Sequence, residues 1–172
     1  QMCIRDRYNM GSLSVVDIID RHDYYRILTS LFLHANPQHI WGNMIFLAAL
    51  GDMLEKSIGH GRFFAIYMLA GIGGNLLSMG HELATGQFCS TIGASGAVFG
   101  LIGALLLLIC KNNGTYGQIS FRRMIFAIVY LFYSGIQSET TNNMAHLGGF
   151  ITGFAVMAVF YCITRRRYKR IR

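Results

Sequence analysis

Five long apolar runs separated by short polar stretches set the pattern of this chain. They cover Gln38–Leu54, Phe63–Met79, Ile92–Cys110, Met124–Ile136 and Ala145–Ile163. A helix that crosses a membrane needs about 20 mostly apolar residues, with a range of about 17–25. The second, third and fifth runs meet that length. The fourth meets it only if it starts near Ile119, and the first carries Asp52 close to its end. Any one run, read alone, also suits a buried helix in a water-soluble protein. Five in succession predict an all-α, polytopic bundle with five transmembrane helices.

Composition strengthens this reading. The 172 residues are 53% hydrophobic and 13% charged, with one proline, whereas globular proteins carry about 25% charged residues. The net charge of +7 raises the question of nucleic acid. Its placement answers it: the last eight residues, RRRYKRIR, hold six of the fifteen Lys and Arg. A basic tail directly after an apolar run is the usual cytoplasmic flank of a membrane helix, and no nucleic-acid-binding motif accompanies the charge. The four cysteines show neither a CxxC pair nor metal-ligand spacing. Cys110 and Cys162 fall late in apolar runs and are expected to be buried thiols rather than a disulfide.

Lys and Arg also orient the spans. With the C-terminus cytoplasmic, the loop bearing Lys56 and Arg62 is cytoplasmic, as is the loop bearing Lys111, Arg122 and Arg123. Together with the tail these hold eleven of the fifteen Lys and Arg. The loops at 80–91 and 137–144 hold none. The other four, Arg5, Arg7, Arg21 and Arg26, lie in the N-terminal stretch, which falls on the outer side. The opening QMCIRDR (1–7) resembles neither a signal peptide nor a native start. It is expected to be a fragment edge carrying an assembly scar, with a sixth helix expected upstream.

This topology gathers the chemistry on one side. Ser95, in STIGASGAVFG (90–100), opens the third span from the outer side. His146, in NNMAHLGGFITGF (142–154), opens the fifth from the same side, and His34, His39 and Asn43 enter the first. A polar or ionisable side chain inside a span points to function. The soluble-hydrolase elbow G-x-S-x-G is not met, because position 97 is Ala. Ser95 can therefore be a helix cap beside a small-residue packing seam from Gly96 to Gly100, a nucleophile, or both. His146, Gly149 and Gly153 share a helix face by their spacing. The glycines would let that helix press against the third span, and His146 could either hydrogen-bond in the packing or exchange a proton with a serine. His39 and Asn43 are four apart and could donate to an oxyanion. The alternative use of the histidines is metal binding. No H-E-x-x-H occurs, and no carboxylate is expected in the outer half of any span, so no metal and no cofactor are expected.

Taken together, H-x-x-x-x-H-x-x-x-N before the first run, G-x-S-G opening the third and A-H-x-x-G-x-x-x-G opening the fifth resemble the rhomboid intramembrane serine proteases, over about residues 25–163. The likeness extends to Tyr25-Arg26, where the family usually has Trp-Arg, and to Glu55 in GDMLEKSIGHGRF. It implies a Ser95–His146 dyad, and an oxyanion site made by His39, Asn43 and the Ser95 backbone N–H. It further implies that Gly93 keeps the approach to Ser95 open and that Gly96, Gly149 and Gly153 shape the packing. Phe99 stands where some members place a Tyr on the catalytic histidine, and keeps the ring face. His34, Tyr25, Arg26 and Glu55 would be structural. The implied substrates are transmembrane proteins cleaved within the lipid bilayer of a bacterial cytoplasmic membrane, at a site open to the outer side. The expected organisation is an N-terminal outer segment at 1–24, a protease domain at 25–163 and a cytoplasmic tail at 164–172. The alternative is an inactive relative that binds or chaperones membrane proteins.

Overall fold

A computed structural model describes residues 10–138 and 141–164. The basic tail at 165–172, Cys3, Arg5 and Arg7 lie outside the described residues. After helical residues at 10–11 come two short helices, α1 (Val15–Arg21) and α2 (Arg26–Thr29), followed by a 3-10 turn at Ser30–Phe32. Five long helices follow: α3 (Pro37–Ile58), α4 (His60–Thr85), α5 (Ser95–Lys111), α6 (Phe121–Ile136) and α7 (Asn143–Ile163). Local chemistry sets most of their ends. Asn36, Ser120 and Asn142 each cap the helix that follows, accepting the N–H of His39, Arg123 and Ala145. Gly59 and Gly86, both at positive φ, end α3 and α4.

Three expectations change. α4 continues six residues past Met79 to Thr85, carrying Glu82 into the protein at 3% exposure; a carboxylate therefore does lie near the end of a long helix, at the end of the bundle where Ser95 sits. Helix α5 begins at Ser95 itself, with Ala94 at the cap position and no side-chain cap bond. The architecture is all-α apart from one small hairpin, β1 (Thr115–Tyr116) paired antiparallel with β2 (Ile119–Ser120). Its Tyr116 hydroxyl donates to Ser57 at the end of α3. Of the five long helices, α4 and α7 are long and apolar enough to cross a membrane, and α5 is apolar but has 17 residues.

Neighbouring contacts give the direction of each helix. Gly96 lies against Gly149 and Gly100 against Gly153, so α5 and α7 run the same way. Gly74 lies by Gly96 and Ala70 by Gly100, so α4 runs opposite to both. His39 meets Gly93 just before α5, and Ser57 meets Tyr116 just after it, so α3 is parallel to α5. Near the end of α6, Phe132 packs on Phe99 and Gly135 lies against Asn143. The five helices thus alternate in direction, and the starts of α3, α5 and α7 share one end.

Helix α5 is the centre. Nearly all of it is buried, and Leu101, Leu105 and Ile109 join Leu54, Ile66 and Met157 in the core. The outward faces are apolar as well: Trp41, Ile45, Phe64, Phe126 and Val159 are each more than half exposed. Apolar side chains outside and glycines, amides and hydroxyls inside are the arrangement a lipid solvent favours.

Candidate active site

The site is built from three helix starts and the loop leading into α5. Gly93 takes φ +120°, and its N–H donates to the Ser30 carbonyl at 2.9 Å. A side chain could not take this place. A Cβ here would sit 2.7 Å from His39 Cε1 and 2.8 Å from Nε2, with Asn43 Nδ2 at 3.8 Å. Gly93 therefore lets the loop lie flat against both side chains, two residues before Ser95. Asn43 is 7% exposed, and its Nδ2 is buried without a hydrogen-bond partner. The first N–H donating back along α5 is that of Val98, to Ala94 at 3.0 Å. The N–H groups of Ser95, Gly96 and Ala97 precede it and are unused by the helix.

His146 enters from α7. Its N–H donates to the Asn142 carbonyl at 3.2 Å, in the first turn. Its ring is 8% exposed and lies parallel to Phe99, with centroids 4.2 Å apart and 11° between planes. Phe132 packs edge-on with Phe99 at 5.1 Å between centroids. Phe99 is four residues after Ser95, so the two share a face of α5, one turn apart. The imidazole thus lies beside the turn that carries the serine. Its Nδ1 has no hydrogen-bond partner, and no hydrogen bond joins it to Ser95 among the described residues. In structures without substrate, catalytic hydrogen bonds are often long and tighten on binding.

The seam that fixes this placement is glycine against backbone. A Cβ on Gly149 would strike the Gly96 carbonyl, and one on Gly153 the Gly100 carbonyl.

With this geometry in hand, comparison with known proteins is direct. The Rhomboid domain family model matches residues 21–162. The chain belongs to the rhomboid family. It is 37% identical over 153 residues to RHOMBOID-like protein 1 of Arabidopsis thaliana, covering 88% of this chain and 38% of that protein. It is 34% identical over 161 residues to RHOMBOID-like protein 2 of the same plant, covering 92% and 49%. Rhomboid protease GluP of Bacillus subtilis (strain 168) is 33% identical over 141 residues, covering 82% and 27%. The chain thus spans less than half the length of these relatives. Rhomboid proteins are integral membrane proteins and generally intramembrane serine proteases.

The remaining residues singled out for this rhomboid chain fall into three places. His34 lies in the loop before α3, its ring edge-on to His39 at 5.1 Å. Burial first, and the neighbouring His39 second, hold its pKa below the usual histidine range. Arg26 is 3% exposed and ties residues 12–26 together. It donates to Asp23 at 3.0 Å and to the Ser12 carbonyl at 3.1 Å, and pairs with Asp17 at 3.4 Å. Tyr25 is half exposed, and its hydroxyl donates to the Met10 carbonyl at 3.1 Å. Glu55 is at the opposite end, 2.5 Å from His60 Nδ1, where it staples the α3–α4 turn away from the site. Residues 10–24 are bound to the rest: Leu13 and Thr91 exchange backbone hydrogen bonds at 2.9 and 3.0 Å. No group of three or more His, Cys, Asp or Glu is placed to hold a metal among the described residues.

Sequence reasoning missed a second tier of residues. Asn75, 4% exposed, donates to the Ile27 carbonyl at 2.8 Å and to Ser30 at 2.9 Å, holding α2 and the 3-10 turn on α4. Gly73 and Gly74 let α7 press onto α4 at Thr152 and Ala145. The run Gly-Ile-Gly-Gly-Asn (71–75) inside an apolar stretch was the available signal. Asn142, standing just before an apolar run, carried a capping signal.

Proposed function

We propose that this rhomboid chain is a serine endopeptidase that hydrolyses peptide bonds in or near transmembrane segments of other membrane proteins. The observation that carries the reading is the convergence at one end of the bundle: Ser95 at an uncapped helix start, His146 stacked beside the same turn, and His39 and Asn43 closing over Gly93.

In the proposed reaction, Ser95 Oγ attacks the scissile carbonyl carbon while His146 takes the hydroxyl proton. The negative oxygen is received by the Ser95 N–H, Asn43 Nδ2 and His39 Nε2. As the intermediate collapses, the C–N bond breaks and His146 returns the proton to the departing amine. Water, deprotonated by His146, then attacks the acyl ester, and the C–O bond to Ser95 breaks with the proton going back to Oγ. No cofactor or metal takes part. Phe99 holds the imidazole plane, and the glycine seam keeps α7 at this distance from α5.

The five alternating helices would each cross the bilayer, with the Lys- and Arg-bearing turns and the C-terminus cytoplasmic. The site would then open to the outer face, where water for hydrolysis is available. A substrate helix must unwind locally to present its carbonyl. Gly or Pro near the scissile bond would lower that cost, since they are poor helix formers.

The test is fluorophosphonate labelling of the chain in membranes, together with cleavage of a model transmembrane substrate. Wild type should label and cleave. Ser95→Ala should do neither, and His146→Ala should lose cleavage without further loss in the double variant, because residues acting as one unit are not additive. Cleavage near wild type in either single variant removes the Ser95–His146 dyad, and a wild type that neither labels nor cleaves ends this reading in favour of a binding module.

A further inference from the structure

A second set of polar side chains is enclosed where α4, the start of α7 and the 88–93 loop meet. Ser78, Glu82 and Thr91 are 1%, 3% and 8% exposed. Their hydrogen bonds have a definite direction. The Glu82 carboxylate accepts the Ser78 hydroxyl at 3.0 Å, the Cys89 N–H at 3.3 Å and the Cys89 thiol at 3.4 Å. The single Ser78 hydroxyl proton is thereby used, so Ser78 can only accept from Asn142, whose Nδ2 lies 2.6 Å away. The other Nδ2 proton goes to Thr91 Oγ1 at 2.7 Å, and Asn142 Oδ1 accepts the Ala145 N–H at 3.0 Å.

Capping alone does not explain this residue. An Asp or Ser at position 142 would cap α7 as well. Two donors aimed at hydroxyls on two other elements, plus one acceptor for the helix, call for a carboxamide. The positions matter too. Thr91 is four residues before Ser95, and Asn142 is four residues before His146. The Thr91 backbone is itself bridged to Leu13. The loop into α5 and the start of α7 therefore cannot slide past one another without breaking a bond to Asn142.

We propose that Asn142, anchored through Ser78 on Glu82 and bonded to Thr91, is a positioning residue that sets the distance between Ser95 and His146. The inference rests on the serine-protease reading above. A misplacement near 1 Å of reacting groups costs up to about a hundredfold in rate.

The test uses the full chain in lipid, with Asn142→Asp, which keeps the capping oxygen but loses both donors, and the pair Thr91→Val and Thr91→Ser. Asn142→Asp and Thr91→Val should lower kcat and the Ser95 fluorophosphonate rate by about tenfold or more, with KM within about twofold. Thr91→Ser, which keeps the hydroxyl, should restore wild-type rates. Hydrogen exchange should rise at 89–95 and 143–147 and nowhere else. The proposal is overturned if kcat stays near wild type in both variants, if Thr91→Ser loses as much as Thr91→Val, or if exchange rises throughout the bundle. Unlabelled, inactive wild type would instead sink the protease reading. In that case exchange confined to the two turns still upholds the Asn142 link, and unchanged exchange removes it.

Discussion

The imidazole of His146 lies flat on the ring of Phe99, 4.2 Å between centroids and 11° from parallel. Two ring faces from different helices thus decide where the proposed base points. Such a stack contributes about 0.5–1.5 kcal/mol beyond simple burial. Phe99→Tyr keeps the face and should retain kcat within about twofold. Phe99→Leu fills similar volume without a face, and should lower kcat by about twofold to tenfold, the rate equivalent of that energy. Steady-state cleavage with both variants checks this. Equal rates for Leu and Phe would show that the stack only fills space.

The depth of His146 depends on the α5–α7 seam. At Gly149 and Gly153 an added methyl meets the carbonyl of Gly96 or Gly100, and backbone cannot rotate aside. Gly149→Ala and Gly153→Ala should each destabilise by about 1–3 kcal/mol through overpacking and lower activity in parallel. Gly42 in the second turn of α3 is the control, since nothing lies within 4 Å of a Cβ there. Gly42→Ala should be neutral or gain up to about 1 kcal/mol from helix propensity. Thermal unfolding in detergent separates the two cases.

How much of this was legible in the chain follows from where each signal lives. The seam and His146 could be read because glycines three and seven residues away fall on one helix face whatever the tertiary structure. Counting successive spans joined by short loops predicted that the helices alternate in direction, as α3 to α7 do. The Glu82–Ser78–Asn142–Thr91 network could not be read, since Asn142 is 64 residues from Ser78 and 51 from Thr91, and no local period links them. The length of α4 was misjudged for the same reason. Hydropathy falls at Gly80-His81-Glu82, yet the helix continues because Glu82 finds donors from Ser78 and Cys89 inside the protein. The +120° φ of Gly93 follows from the need to pass His39, which only the folded arrangement imposes.

The sidedness of the bundle can be tested with its own thiols. Cys89 lies at the Ser95 end, while Cys110 is at the far end of α5. In single-cysteine variants of intact cells, a membrane-impermeant maleimide should label Cys89, and Cys110 only after permeabilisation. Burial first, and the Glu82 carboxylate second, push the Cys89 thiol up from its ordinary pKa. The thiolate is the reactive form, so labelling of Cys89 should be slow at neutral pH and accelerate as pH rises. Reversed accessibility would place the proposed site on the cytoplasmic face.

Asn43 offers the sharpest separation of function from folding. It is buried, at 7% exposure, and Nδ2 has no partner. A buried donor left unsatisfied costs about 1–3 kcal/mol, so a residue kept only for stability would not be left this way. If the donor waits for an oxyanion, its benefit comes in the transition state. Removing one such donor elsewhere costs about a hundredfold to a thousandfold in kcat. His39 and the Ser95 N–H remain here, so Asn43→Ala should lower kcat by about tenfold to a hundredfold, with KM within about twofold. The unfolding temperature should not fall, because the lost packing is offset by removal of an unpaired buried donor. Ser95 should still react with a fluorophosphonate, more slowly. Unchanged kcat with a lower unfolding temperature would make Asn43 a structural amide and leave oxyanion binding to His39 and the helix start.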